Sequence, residues 1–114
     1  MIVRLLLAAL LLAHGAIHAG FVSRRPPEKP GAPRWPFDLD RSWVFSRLGV
    51  APGLVRALGL ALVAATIGGY ALAALATIGI LPASAWGATV TVGSVASLGL
   101  LLLFFNRWLV AGMA

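Results

Sequence analysis

Long apolar runs separated by one polar segment dominate the chain. Residues 57–81 contain no charged side chain. At about 1.5 Å rise per residue this run is longer than a hydrocarbon core of roughly 30 Å requires. A soluble domain of 114 residues has no reason to build a helix that is apolar on every face. Further apolar runs precede and follow it, so the pattern predicts an all-α integral membrane protein, a bundle of three transmembrane helices.

The same pattern sets the limits of each predicted segment within one membrane domain, 1–114. The segments are helix 1 over 2–22, a proline-rich basic loop over 23–53 with a short amphipathic helix at 41–48, helix 2 over 54–81 and helix 3 over 84–105. Helix 1 also resembles a secretory signal, but a cleavage site fits poorly, and we interpret it as a retained helix. Residues 107–114 predict either the start of a fourth helix or an extension of the third.

Composition and charge agree with a membrane location. Hydrophobic residues make up 61% of the chain and charged residues 11%. The absence of cysteine excludes disulfides, thiolate metal sites and thiol redox relays. The net charge of +6 lies close to apolar helices, so it indicates membrane flanking and not nucleic-acid binding. The expected partners are the lipid bilayer and either another membrane protein or a second copy of the chain.

The positive charges also predict an orientation. Seven Lys and Arg residues lie in or beside the loop at 23–53, and the connection after helix 2 carries none. Because short cytoplasmic loops are enriched in Lys and Arg, we expect this loop to face the cytoplasm of a bacterial cell. Arg4 alone opposes this arrangement, and the inverted topology is the alternative.

Small side chains recur every four residues along helix 2 and at a similar spacing on helix 3. Such residues let helix backbones approach closely in a membrane. The predicted packing positions are Ala61, Ala65, Gly69, Ala73, Gly93 and Ser97. The spacing does not decide whether the partner helix belongs to this chain or to another copy, and an ordinary Ala-rich membrane composition is the alternative.

Two histidines and one tyrosine are the candidates for a polar site inside the membrane. His14 and His18 are four residues apart, so both imidazoles lie on one face of helix 1. The simplest interpretation is hydrogen bonding near the interface. A contact for a polar substrate or proton, and a metal or haem held by an oligomer, are the alternatives. Tyr70 lies in the middle of helix 2, and we expect one of the histidines as its hydrogen-bond partner.

Metal and cofactor chemistry have little support in the sequence. A metal site usually needs a third or fourth ligand, and the other predicted helices contain no Asp, Glu, His or Cys. Two histidines on one helical turn cannot hold opposite faces of one haem. We therefore expect no catalytic residue, no bound metal and no cofactor.

The loop concentrates aromatic and charged side chains. The residues of this predicted cap or lid are Trp35, Asp38, Asp40, Arg41 and Trp43. We expect Asp40 to be the N-cap of the short helix and Trp43 to face the bilayer. We also expect the carboxylates to pair with Arg41 or Arg47 over the helix ends. Two carboxylates at this spacing are not on their own an acid–base dyad.

The segment His14-Gly-Ala-Ile-His18-Ala-Gly-Phe21 resembles the HG-x-IH-x-GF pattern that ends the first helix in a set of small bacterial membrane proteins. In architecture this set is similar to the DoxX-like group, which has about four helices and a longer connection after the first. The tryptophan block of the loop and the ending after Phe105 also resemble it. The resemblance implies that a fourth helix follows residue 107. It implies no particular reaction.

Three classes of function remain. The first is a non-enzymatic accessory subunit or scaffold that packs through small-residue helix faces. The second is a transporter or channel for a small solute or proton that uses His14, His18 and Tyr70. The third is an enzyme or a quinone- or haem-linked redox component, for which metal ligands, cysteine and a buried carboxylate are missing. The sequence favours the first class and predicts that the protein is not an enzyme.

Overall fold

Helices account for most of the chain that the structure describes. The structure is a computed structural model, and it describes residues 1–31, 37–40 and 42–104. The helices are α1 (Ile2–Ile17, continued by a 3-10 turn at His18–Phe21), α2 (Trp43–Arg47), α3 (Pro52–Thr77) and α4 (Ala85–Leu103). The segments long and apolar enough to cross a membrane are Ile2–Phe21, Pro52–Thr77 and Ala85–Leu103. The predicted all-α fold with three membrane-length helices is confirmed. The segment predicted as a fourth helix, 107–114, lies outside the described residues.

Helix α3 ends before the apolar run does. Its last helical residue is Thr77, and residues 78–81 form a turn. Gly79 has a φ of +85°, and its N–H donates to the carbonyl of Ala76 at 3.2 Å. The N–H of Ile80 donates to the carbonyl of Leu75 at 2.9 Å. This pair of bonds around a left-handed glycine is the Schellman arrangement that closes a helix. The helix therefore stops four residues before the predicted end.

Helix α2 is shorter than predicted and has a different N-cap. Ser42 directly precedes the first helical residue, and its Oγ accepts a hydrogen bond from the Phe45 N–H at 3.2 Å. The prediction that Asp40 is the N-cap is therefore wrong. The carboxylate of Asp40 lies two residues too early and instead contacts Arg56.

Helix α3 is the central helix and packs against both α1 and α4. It crosses α4 at a glycine pair, since a Cβ added to Gly69 would lie 2.5 Å from the backbone N of Gly93. It meets α1 where a Cβ added to Gly15 would lie 3.3 Å from the Cβ of Tyr70. Small residues therefore let the three backbones approach one another at mid-helix.

The end of α1, the start of α3 and the end of α4 lie together, and the loop folds back over them. We call this the loop end of the bundle, and we call the opposite end, with Met1 and the turn after α3, the far end. A buried apolar cluster fills the loop end: Phe21, Leu39, Val55, Val63, Leu100 and Phe104. A second cluster toward the far end contains smaller side chains: Ala8, Leu11, Tyr70, Ala73 and Ala74. The loop thus belongs to the core through Leu39, which is 3% exposed.

The loop also closes the C-terminus of α4. The Ser42 hydroxyl donates to the carbonyl of Leu103 at 2.7 Å, and the Trp43 indole N–H donates to the carbonyl of Leu102 at 2.7 Å. The last carbonyls of a helix have no partner within the helix, so these side chains satisfy two of them. A single serine therefore caps the start of α2 and the end of α4.

Candidate functional site

The structure brings His14, His18 and Tyr70 together between the three long helices. The ring centroids of His14 and Tyr70 are 4.9 Å apart in an edge-to-face arrangement, and those of His14 and His18 are 5.3 Å apart. The helical spacing places the two imidazoles on one side of α1. Gly15 has no side chain, so α1 lies close to Tyr70 at this position.

His18 is buried and fully engaged in hydrogen bonds. Its backbone N–H donates to the carbonyls of Gly15 and Ala16 at the end of α1. Its ring Nδ1 donates to the carbonyl of His14 at 3.1 Å. A carbonyl can only accept, so Nδ1 carries a proton. In the neutral imidazole Nε2 is then the acceptor, and the Ser97 hydroxyl donates to it at 3.0 Å. This contact joins α1 to α4.

Tyr70 finds its hydrogen-bond partner on α4. Its phenol oxygen lies 3.2 Å from Oγ of Ser94. The expectation that a histidine bonds this hydroxyl is wrong, because the hydroxyl bonds Ser94 and the contact between His14 and Tyr70 is an edge-to-face contact of their rings. Sequence reasoning missed Ser94 and treated Ser97 only as a small residue. Their spacing of three places both hydroxyls on one side of α4, but the sequence does not show that this side faces α1.

The cluster lies about level with the middle of α4. Ser94 is the tenth of the 19 residues of α4, so about 14 Å of helix extends to either side of it. Tyr70 bonds Ser94, and Gly15 lies against Tyr70, which places His14 within about one helical turn of the same level. His18 and Ser97 lie one turn nearer the loop end.

His14 differs from the other members of the cluster because it is exposed. Its ring nitrogens make no hydrogen bond within the part of the chain that the structure describes. By contrast, every buried side-chain nitrogen or oxygen of the described residues has a partner. Ser94 is exposed as well, and helical geometry places it on the α4 edge that faces α1. An imidazole and a hydroxyl therefore reach the outer surface of the bundle at mid-helix depth.

The apolar residues next to these two groups complete a defined surface. Leu10 and Ile17 flank His14 on α1 and are 66% and 53% exposed, and Leu98 follows Ser94 one turn later at 52% exposed. We call the surface formed by Leu10, His14, Ile17, Ser94 and Leu98 the α1–α4 rim. It is apolar except at its centre.

The predicted packing positions fall into two groups. Gly69, Ala73, Gly93 and Ser97 are buried, and the closest approach of α3 and α4 occurs at the glycine pair. Ala65 is half-buried and Ala61 is exposed. A strict spacing of four drifts around a helix of 3.6 residues per turn, so the two positions nearest the loop end turn away from α4.

The loop carboxylates pair with two arginines outside the predicted set, and the predicted pairing with Arg41 lies outside the described residues. Among the described residues, Asp38 pairs with Arg25 at 2.8 Å and Asp40 pairs with Arg56 at 2.8 Å. Arg47 makes a cation–π contact, with its guanidinium 5.6 Å from the ring centroid of Trp43. The other predicted loop residues, Trp35 and Arg41, lie outside the described residues.

Trp43 is 52% exposed, and its indole N–H is bound to the last turn of α4. This combination of an exposed apolar ring and a satisfied polar atom suits a membrane–water interface.

A cleft of about 220 Å³ opens at the loop end, with Phe21 at its base. Its polar lining consists of two arginines, two aspartates and one serine: Arg25, Arg56, Asp38, Asp40 and Ser23. The ring of Phe21 stacks on His18 with a centroid distance of 6.5 Å. Phe21 thus lines the cleft and also lies against the His18 ring of the buried cluster.

The arrangement supplies hydrogen bonds but not a metal site. Within the described residues no three His, Cys, Asp or Glu side chains lie close enough together to hold a metal ion. No family model, no curated protein and no solved structure matches the chain. The resemblance to DoxX-like proteins therefore stays a prediction.

Proposed function

We propose that this chain is a non-enzymatic subunit of the bacterial cytoplasmic membrane, an accessory protein or scaffold that acts by binding another membrane helix at the α1–α4 rim. The observation that carries the proposal is the exposed, unbonded imidazole of His14 at mid-helix depth. Lipid tails offer no hydrogen bond, so a polar group left there is costly. A second helix that brings a hydrogen-bonding side chain to this level removes the cost.

The remaining exposed surface suits lipid. Long apolar side chains cover the outside of α1 and α4, as expected for helices that face hydrocarbon. Thr91 is also exposed on α4, but it is a lone hydroxyl. His14 and Ser94 together present an imidazole and a hydroxyl, so we infer that a partner helix forms hydrogen bonds there as well as packing contacts. Interhelical hydrogen bonds in membranes contribute about 0.6 kcal/mol each, so they select a partner and a register more than they provide affinity.

Extraction of the native protein tests the proposal. The tagged chain is extracted with its surrounding lipid in a polymer, purified, and its bound proteins are identified by mass spectrometry. We expect a defined membrane protein, or further copies of the chain, to be retained by the wild type and lost from His14→Ala. Leu12→Ala, on the opposite edge of α1 and also exposed, is the matched control and should retain the partner. Loss in both variants, or in neither, contradicts the proposal.

The loop orientation belongs to the same proposal. Arg24, Arg25 and Lys29 follow α1, and Arg47 and Arg56 lie in or beside the loop end, whereas Arg4 lies near the far end. This charge distribution favours a cytoplasmic loop end.

A polar path for a proton or small solute is a second candidate function. The observation in its favour is the stacking of Phe21 between the charged cleft and His18. Movement of one ring would connect water in the cleft with the imidazole. In proteoliposomes, a path requires that Phe21→Ala increase the proton flux and that His18→Ala abolish it. Equal flux in wild type, Phe21→Ala and empty vesicles eliminates this candidate.

A further inference from the structure

The α1–α4 rim has hydrogen-bonding groups that complement each other. A neutral imidazole has one donor and one acceptor, and neither is used by His14 among the described residues. With Tyr70 as the donor to Ser94, the Ser94 hydroxyl keeps its own hydrogen and one lone pair. Ser94 can therefore donate to, or accept from, an imidazole that reaches it from outside. The ring of Tyr70 occupies the position beside His14 within the chain, so the two groups do not bond each other in one copy.

The rim is also free of charge. The sequence has no Asp, Glu, Lys or Arg between residues 5 and 21 or between residues 85 and 103. Two identical rims can therefore approach each other without repulsion between like charges. Leu10, Ile17 and Leu98 provide apolar contact on either side of the polar centre.

We propose that the occupant of the α1–α4 rim is the same rim of a second copy of this chain, related by a two-fold axis. His14 of each copy then bonds Ser94 of the other. A two-fold interface makes every contact twice, so one complementary pair gives each His14 and each Ser94 a hydrogen bond to the other copy. The inference rests on the proposed function, association within the membrane, and specifies the partner as the chain itself.

Cysteine cross-linking in native membranes tests the identity of the partner. The chain contains no cysteine, so single-cysteine variants of the full chain have no background. Leu10→Cys places the thiol on the rim beside His14, and Leu12→Cys places it on the opposite edge of α1, where the side chain is 51% exposed. With a short bismaleimide we expect Leu10→Cys to form a dimer of two copies and Leu12→Cys to remain uncross-linked.

A second substitution tests the hydrogen bond. In the Leu10→Cys background we expect His14→Ala to weaken dimerisation about tenfold, as two lost interhelical hydrogen bonds imply. His14→Gln, which keeps a donor and an acceptor, should retain most of the dimer. Because His14 is exposed, both variants should keep the helix content of the wild type by circular dichroism.

Each outcome has a separate meaning. A dimer that depends on His14 supports the inference. Equal cross-linking from Leu10→Cys and Leu12→Cys, or a dimer unchanged by His14→Ala, overturns it. A Leu10→Cys adduct with a different protein overturns the second copy as occupant while the proposed function stands. Uncross-linked monomer in every variant overturns the second copy as occupant, and the identification of bound proteins by mass spectrometry decides the proposed function separately.

Discussion

At the scale of single residues, two glycines let α3 and α4 approach closely. A Cβ on Gly69 would lie 2.5 Å from the N and 2.7 Å from the Cα of Gly93. Both are backbone atoms, which cannot rotate away as a side chain can. The distance between α3 and α4 is therefore set at this crossing, and a methyl group there forces the helices apart.

We expect Gly69→Ala to destabilise the fold by about 1–3 kcal/mol through this overpacking. Gly68, its neighbour on the same helix, has no atom within 4 Å of the place where a Cβ would lie, which makes it the matched control. Gly68→Ala should be neutral or stabilise by up to about 1 kcal/mol through helix propensity. Reversible unfolding in mixed SDS micelles, followed by circular dichroism, measures both. Equal effects at the two positions contradict the crossing.

The His18–Ser97 contact makes a second prediction at this scale. In a double-mutant cycle with Ser97→Ala and His18→Phe, we expect the two wild-type side chains together to stabilise the fold by a coupling energy of about 0.6 kcal/mol, and by no more than about 1.7 kcal/mol. Thr89→Ala is the control for the cycle, because Thr89 bonds only carbonyls of its own helix. Its effect should add to that of His18→Phe within about 0.5 kcal/mol. A coupling near zero between His18 and Ser97 would show that the contact does not form.

Residue chemistry was only partly predictable from the sequence. His14, His18 and Tyr70 were recognisable as a group because polar rings are rare in apolar helices. The hydroxyls of Ser94 and Ser97 were not, because serine also occurs where a helix needs a small side chain. Which role each serine takes depends on the rotation of α4 about its axis, and an apolar helix with little amphipathic pattern does not reveal that rotation.

At the scale of elements, one serine joins the short loop helix to the end of α4. The Ser42 hydroxyl accepts from the Phe45 N–H and donates to the Leu103 carbonyl, and Trp43 adds a bond to Leu102. The loop is therefore fastened to the bundle 61 residues away from its own position in the sequence. Its basic side chains are held at the loop end by the same bonds.

We expect Ser42→Ala to release α2 from the bundle. Loss of the cap and of the bond to α4 together cost about 1–2 kcal/mol, which raises the open population about 5- to 30-fold. Tryptic cleavage after Arg47, which lies in α2, should accelerate by that factor. Cleavage after Arg24, in exposed chain, should not change. Ser46→Ala, an exposed serine of the same helix, is the control and should leave both rates unchanged.

The existence of the three long helices followed from apolar length, but their ends did not. Hydropathy measures transfer from water, and Ile78, Ile80 and Leu81 are as apolar as the helix before them. The chain nevertheless reverses there, because Gly79 adopts the left-handed conformation and closes the helix. The available signal was Gly79 followed three residues later by Pro82, since the same Ile-Gly pair at 67–68 stays helical. The N-cap of α2 was predicted wrongly for a similar reason. Asp40 and Ser42 are both residue types that cap helices well, and the choice between them depends on where the helix begins, which the sequence does not show.

At the scale of the whole molecule, the placement of charge predicts how the chain lies in the membrane. Ser46 belongs to the loop end and Ala83 to the turn at the far end, and both are exposed. With a membrane-impermeant maleimide on intact cells, we expect Ala83→Cys to be labelled and Ser46→Cys to be labelled only after permeabilisation. Because the chain has no cysteine, wild type provides the blank. The reverse pattern would establish the inverted topology.

Association through the rim is a property of the whole molecule, and the mass of the native particle measures it directly. The chain alone has a mass of 11.8 kDa. After polymer extraction from native membranes, native mass spectrometry should find the wild type in a particle that contains at least one further protein chain. The His14→Ala variant should shift toward the single chain, as a tenfold weaker association implies, with Leu12→Ala unchanged from wild type. A wild type that is a single chain, or a larger particle that is unchanged by His14→Ala, contradicts a function based on association at the α1–α4 rim.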